Sequence, residues 1–150
     1  MLEISKLQLE FIAEIASLEC EWWNKPNYDY EFVKKRLQKM LESTNLPQMY
    51  TLIKDNQLIG FYEIELNDCL SNYPEYKPLL SNLYIKSAYR NQGYGSILIK
   101  DVLKRVQSLG YKRLYLHSKH HGLYEKFGFQ YQKDVIGDDG KTKRIYSIDL

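Results

Sequence analysis

The stretch YIKSAYRNQGYGSILIK, residues 84–100, sets Gly93 and Gly95 one residue apart, behind Arg90, Asn91 and Gln92 and ahead of an apolar-periodic run. The chain has eight glycines in 150 residues, so a pair placed between a strand-like and a helix-like segment needs a physical reason. Glycine permits positive φ and lets a ligand come close to the backbone. At a helix start the unpaired N–H groups and the dipole both favour an anion, so the pair reads as a phosphate-binding turn. Spacing separates the alternatives. A dinucleotide turn needs a third glycine where this chain has Leu98, and it needs the strand to end at the first glycine. A P-loop needs G-x-x-x-x-G-K-S/T, which does not occur here. What remains is a loop in which the amides of Gln92, Gly93, Tyr94, Gly95 and Ser96 turn toward one anion, with Arg90 as the neighbouring cation.

Working outward, SILIKDVLKRVQSLG carries the stripe Ile97, Leu98, Val102, Val106 and Leu109, and Gly110 sits where a left-handed helix cap belongs. SNLYIKS before it and KRLYLHS after it read as strands. Residues 81–117 are therefore a strand-helix-strand crossover, right-handed and parallel if the two strands share a sheet. Upstream, LQLEFIAEIASLECEWW shows one helix face at Leu7, Phe11, Ile15 and Leu18 and stops at Pro26 and Asn27. DYEFVKKRLQKMLEST is a second helix, capped by Asp29, with the stripe Phe32, Val33, Leu37, Met40 and Leu41. QMYTLIKDNQLIGFYEIEL gives two strands around the turn KDNQ, and residues 67–80, with two prolines, form a loop. HGLYEKFGF is a short helix closed by Gly128, and FQYQKDV and RIYSIDL form a hairpin through Asp139 and Gly140. This order predicts a mixed α+β, three-layer α/β domain spanning residues 1–150.

Composition narrows the function class. With 44% hydrophobic and 27% charged residues and a net charge of +2, the chain lacks the basic stripe of a nucleic-acid binder. No apolar run is long enough to span a bilayer, so no membrane role is expected. The beginning, MLEISKLQLEFIAEI, has neither the basic start nor the unbroken apolar core of a signal peptide. A cytoplasmic setting with Cys20 and Cys69 reduced is the expectation. Fourteen tyrosines suit strands and the walls of a ligand cleft.

At Arg90-Asn91-Gln92-Gly93-Tyr94-Gly95 the chain resembles the GCN5-related N-acetyltransferases (GNAT), whose acetyl-CoA signature is Q/R-x-x-G-x-G/A between a strand and a helix. NLYIK looks like that family's fourth strand, and GLYEKFGF stands where the family places a short helix with its tyrosine. The likeness covers about residues 50–150 well, and the two N-terminal helices only in order and length. It implies a mostly antiparallel twisted sheet with one splayed parallel pair, flanked by helices. It also implies acetyl-CoA as cosubstrate and direct transfer in a ternary complex to a primary amine, on a small molecule or a peptide, by a monomer or homodimer. The pyrophosphate would sit on the amides from Asn91 to Ser96, and the pantetheine arm would pair with the backbone of Leu83, Tyr84 and Ile85. A CoA-binding or regulatory module without transfer activity is the alternative.

Transfer of an acetyl group from a thioester to an amine needs a polarising donor, an acid and a base. An N–H near Ile85 is the candidate donor. Tyr124 is the candidate acid, a phenol of pKa about 10 facing a thiol of about 8.5; the other reading is a buried, hydrogen-bonded tyrosine. Glu63 and Glu65 share one strand face, so either can be the base, with Glu65 nearer the strand end; a solvated sheet edge is the other reading. With Asp68 they favour a cationic acceptor. His117 and His121 are four apart, but His117 ends a strand, so no metal site is expected; His117 is an acceptor-pocket residue, a base or a polar strand end. Trp22 and Trp23, with Tyr28 and Tyr30, lie where the family's acceptor meets the first helices, with core packing expected of at least one tryptophan.

Overall fold

Residues 1–24, 26 and 28–150 are described by a computed structural model; Asn27, expected at the end of the first helix, lies outside them. The elements in chain order are β1 (Leu2–Lys6), α1 (Ile12–Trp23), α2 (Tyr30–Glu42), β2 (Gln48–Lys54), β3 (Gln57–Glu65), β4 (Leu79–Ile85), α3 (Tyr94–Ser108), β5 (Arg113–His117), β6 (Gln130–Ile136) and β7 (Thr142–Asp149). The strands form one seven-stranded sheet in the order β1-β2-β3-β4-β5-β7-β6.

Local chemistry sets most of these boundaries. The Asp29 carboxylate accepts from the Phe32 N–H at 2.8 Å, which starts α2 as expected of an N-cap. Asp55 and Asn56 both take positive φ, 51° and 65°, giving the tight turn between β2 and β3. Two sequence expectations are corrected. The first helix begins at Ile12 after a single tight turn at Leu9–Phe11, and the residues before it form β1 along the edge of β2. The Leu7 N–H already serves the carbonyl of Met49, so sheet pairing takes the backbone bonds a helix would have used. Downstream, HGLYEKFGF holds only one tight turn, Glu125–Phe127, because Gly128 at φ 101° ends it.

Packing makes three layers. On one face α1 and α2 bury Ile15, Ala16, Val33, Leu37 and Met40 against Met49, Ile53 and Phe61. On the other, Leu98, Ile99, Val102 and Val106 of α3 pack on Leu52, Ile59, Ile64 and Leu116. A polar lock fixes the pitch of α3: the buried Tyr62 hydroxyl donates to Asp101 at 2.7 Å, and Arg105 donates to the same hydroxyl at 3.1 Å. Arg105 also lies 4.0 Å from the centre of the Tyr50 ring.

All neighbouring strands are antiparallel except β4 and β5, which α3 connects as a parallel pair. They meet at one residue pair, Leu79 with Tyr115, and then separate. β4 is also bulged: Phe61 faces Tyr84 and Glu63 faces Ser81, so Asn82 and Leu83 together oppose Tyr62, with Asn82 at φ 52°. Among the described residues both cysteines are free, and no helix is long and apolar enough to cross a membrane.

Gly60 holds β3 tight against the end of β4, since a Cβ there would lie 2.7 Å from the Tyr84 carbonyl oxygen and 2.6 Å from Ile85 Cδ1. Backbone cannot yield as a side-chain tip can, so Gly60→Ala should cost about 1–3 kcal/mol in urea unfolding. A loss below about 0.5 kcal/mol would show that β4 moves freely at this crossing.

Candidate active site

Where β4 leaves β5, one strand edge loses its partner. The Lys86 N–H bonds to the carbonyl of Ile59 at 2.9 Å, so by strand alternation Tyr84 shares that edge, and the amides of Leu83 and Ile85 face the gap. In the gap the Ile85 carbonyl accepts from Arg90 Nε at 2.8 Å, and the guanidinium lies 5.4 Å from the centre of the Tyr84 ring. Arg90 is thereby held at the head of the cleft.

The two glycines stand above it. Asn91 and Gly93 take positive φ, 61° and 86°, and α3 begins directly afterwards. Among the described residues no amide from 91 to 96 has a hydrogen-bond partner, as the first turn of a helix dictates. A Cβ at Gly93 or Gly95 would meet no protein atom within 4 Å. Positive φ accounts for Gly93. Neither packing nor positive φ accounts for Gly95, which costs the helix about 0.5–1 kcal/mol relative to alanine. Unpaired amides, an adjacent cation and a space kept clear of Cβ atoms fit a diphosphate.

Between β4 and β5 lies a cavity of about 730 Å³, walled by Leu80 to Leu83 of β4, Leu116 and His117 of β5, Tyr124 and the two tryptophans. Tyr124 is half-buried and edge-on to Phe129 at 5.9 Å, and its carbonyl accepts from the amides of Phe127 and Phe129. Its hydroxyl has no hydrogen-bond partner among the described residues, so the reading of a buried, hydrogen-bonded tyrosine does not hold. Burial pushes the phenol pKa up, which keeps its proton in place at neutral pH. His117 Nε2 lies 3.0 Å from Asp68 Oδ2, closing the loop after β3 onto β5. Among the described residues no group of three His, Cys, Asp or Glu is placed to hold a metal ion. Trp22 is 45% exposed and 5.1 Å from Tyr84, and Trp23 is half-buried. Neither belongs to the buried core, so the core expectation for a tryptophan is corrected: both face the cleft.

Beside it opens a smaller cavity of about 190 Å³, lined by Tyr28, Arg36, Glu63 and Glu65. Arg36 Nη1 donates to both oxygens of Glu63, at 3.1 and 3.0 Å, and Nη2 donates to both oxygens of Glu19, at 3.3 and 3.1 Å. Glu65 stands 3.7 Å from the same guanidinium, and Asn82 donates to Glu63 at 3.1 Å. The shared face of Glu63 and Glu65 is therefore real, whereas a solvated sheet edge is not: Glu63 is fully buried and Glu65 is 18% exposed. Burial, then the hydrogen bond and charge of Glu63, lift the Glu65 carboxyl well above the usual carboxylate range against the pull of Arg36. Burial likewise raises Glu19 to about 7, opposed by Arg36 and helped by Glu63. Sequence reading had missed Glu19, Arg36, Ser81 and Asn82. The available signal was two opposite charges on apolar helix faces, Glu19 four residues after Ile15 and Arg36 three after Val33.

The sequence profile of the Acetyltransferase (GNAT) family matches residues 10–129. The fold is similar to an N-acetyltransferase from Staphylococcus aureus, with TM-score 0.77 and 15% identity over 99% of this chain and 98% of that one. It is similar to a PaiA N-acetyltransferase from Thermoplasma acidophilum in complex with coenzyme A, with TM-score 0.73 and 20% identity over 100% and 99% of the two chains. It also resembles the spermidine/spermine N-acetyltransferase of Vibrio cholerae, with TM-score 0.75 and 19% identity over 99% and 95%. No protein of curated function matches the sequence.

The carboxylate network generates a stability prediction. A carboxyl whose folded pKa is raised keeps a proton that the unfolded chain loses, so its contribution to stability falls as pH rises. For Glu19 that window runs from 4.5 to about 7. Across it, the Tm of Glu19→Gln relative to the parent should climb with pH; a constant difference in a pH series of thermal melts would refute the raised carboxyl. Arg36→Met, which leaves three clustered acids without their cation, should cost about 3–5 kcal/mol at neutral pH.

Proposed function

The chain belongs to the GNAT acetyltransferase family, and from that premise we propose that it moves an acetyl group from acetyl-CoA to a primary amine by direct transfer in a ternary complex. The observation that carries this reading is a helix start with unpaired amides at the open end of the β4–β5 gap, together with a cavity lined by Tyr124 that adjoins one lined by Glu65. Acetyl-CoA, the cosubstrate, supplies the acetyl group already activated as a thioester.

The chain's own residues do the rest. The amides from Asn91 to Ser96, with Gln92 and Tyr94 in that loop and Arg90 beside it, hold the pyrophosphate. The open edge of Leu83, Tyr84 and Ile85 receives the pantetheine arm as an added strand, and the amides facing the gap are fixed donors where negative charge develops. Tyr124 donates the proton to the departing sulfur. Among the carboxylates Glu65 is the base, because Glu63 is held by both Arg36 and Asn82 and has little capacity left to accept. Its raised pKa lies closer to that of an alkylammonium, about 10, than an ordinary carboxylate's would. Activity then rises with pH as Glu65 loses its proton. Trp22, Trp23, Asp68 and His117 form the acceptor side, where acid and aromatic faces together favour a cationic amine, on a small molecule or a peptide. The chain acts as one domain over residues 1–150, in the cytoplasm, as a monomer or homodimer.

The test is release of free thiol from acetyl-CoA across a broad amine panel, together with thermal stabilisation by CoA. Neither effect with any amine would sink the reading. Tyr124→Phe should lower kcat by about 10²–10⁴-fold while leaving CoA affinity unchanged; unchanged turnover would remove the tyrosine's role. Gly95→Ala should move two quantities in opposite directions. The apo protein should gain up to about 1 kcal/mol from the better helix former, while CoA binds at least ~10-fold more weakly. Undiminished affinity would show that the space above Gly95 is not used.

A further inference from the structure

Tyr124 faces the larger cavity and Glu65 the smaller one, so an amine placed beside Tyr124 must lose its proton across the wall between them. Four residues line both cavities: Trp23, Asp68, Ser81 and Asn82. The Asn82 amide is committed to Glu63 and the Asp68 carboxylate to His117. Ser81 is 7% exposed, and its hydroxyl has no hydrogen-bond partner among the described residues. Buried hydroxyls are normally paired, so an unpaired one on a residue that lines two cavities needs an explanation. Its register supplies one. Ser81 lies directly opposite Glu63, and Glu65 is opposite Leu79, which makes Glu65 the diagonal neighbour of Ser81 on the same sheet face, within reach of a long side chain.

Building on the transfer reading above, we propose that Ser81 is a catalytic residue whose hydroxyl relays the acceptor amine's proton from the cleft to Glu65. One N–H bond of the ammonium breaks as its proton passes to Ser81 Oγ. The hydroxyl's own proton passes in the same step to a Glu65 carboxylate oxygen. Nitrogen keeps the electron pair and becomes the nucleophile, Ser81 ends unchanged, and Glu65 gains one proton. That proton returns to solvent from the part of Glu65 that is exposed. The charges around Glu65 set its readiness to accept. They are Arg36 of α2, Glu19 of α1 behind Arg36, Glu63 on its own strand and Asp68 on the following loop, the last paired with His117 of β5, with Tyr28 lining the same cavity. The bulge gives Ser81 this position: with Asn82 and Leu83 together opposite Tyr62, the residue that comes opposite Glu63 is Ser81 rather than Asn82.

The test compares Ser81→Ala and Ser81→Thr with the parent, using the best alkylamine from the thiol-release panel and its β,β,β-trifluorinated analogue, which is uncharged at neutral pH. Ser81→Ala should lower kcat at least ~10-fold for the alkylamine, where a proton must leave first, and less than ~2-fold for the fluorinated amine. Ser81→Thr, which keeps the hydroxyl, should restore the alkylamine rate. The Tm of Ser81→Ala should equal or exceed that of the parent, since the removed group had no partner. Equal losses for both amines, no loss for either, or a loss that follows a lowered Tm would overturn the relay while leaving acetyl transfer intact. No thiol release by the parent with any amine would instead remove the transfer reading, and the relay with it.

Discussion

Two parallel strands that share one residue pair, Leu79 with Tyr115, leave the rest of their facing edges unpaired, and the site is built on that gap. An open strand edge carries backbone donors and acceptors that must find partners. Here the Ile85 carbonyl takes Arg90, while Leu83 on the same edge lines the cavity of about 730 Å³. The same topology puts the anion cradle in place. A right-handed crossover between these strands must start at the end of β4, so the first turn of α3 lies at the head of the gap, with its amides pointing outward. Separation of the strands and placement of the helix start are one geometric fact, and a ligand with a diphosphate and an extended arm matches both parts of it.

The Arg36 network makes sense as a means of placing charge rather than as a source of stability. Burying a cation with three acids costs desolvation that the ion pairs offset only in part. The excess negative charge then appears as two carboxyls held above their ordinary pKa, Glu19 behind the guanidinium and Glu65 at the cavity wall. Glu63 is the structural member, bonded by Arg36 and Asn82, and it ties α2, β3 and the β4 bulge together. Glu65 lies farther from Arg36 and keeps contact with solvent. Neighbouring acids on one strand face thus differ in how fully their oxygens are occupied.

How much of this was readable in the sequence depends on how local each signal is. The glycine pair, the Asp29 cap and the Asp55-Asn56 turn are written within a few residues, and each stands where the sequence placed it, whereas the α3 stripe is corrected at two positions: Leu98, Val102 and Val106 are buried with Ile99, and Ile97 and Leu109 are exposed. β1 was hidden because Leu2 to Lys6 is short and partly exposed and runs straight into a helical pattern; its pairing with β2 is a long-range fact. Asn82 at positive φ carries no local mark beyond being asparagine, so the bulge and the special position of Ser81 were invisible. Arg36 sits between Lys35 and Leu37 and reads as one more surface cation until the fold brings α1 and β3 beside it. Trp22 and Trp23 were read on the acceptor side, and only the core packing expected of at least one of them fails, for a related reason: large aromatics are usually buried, and the open cleft leaves these two at its wall.

Keeping Tyr124 and Glu65 in separate cavities has a chemical logic. Burial raises the pKa of both groups, yet the effect serves them differently. A phenol is neutral when protonated, so burial holds its proton in place. A carboxyl is charged when deprotonated, so burial strengthens it as a base once the proton has gone. Placed within hydrogen-bond reach of each other, the phenol would donate to the carboxylate and weaken it as an acceptor. The wall of Trp23, Asp68, Ser81 and Asn82 prevents this by keeping the phenol and the carboxyl in adjoining cavities.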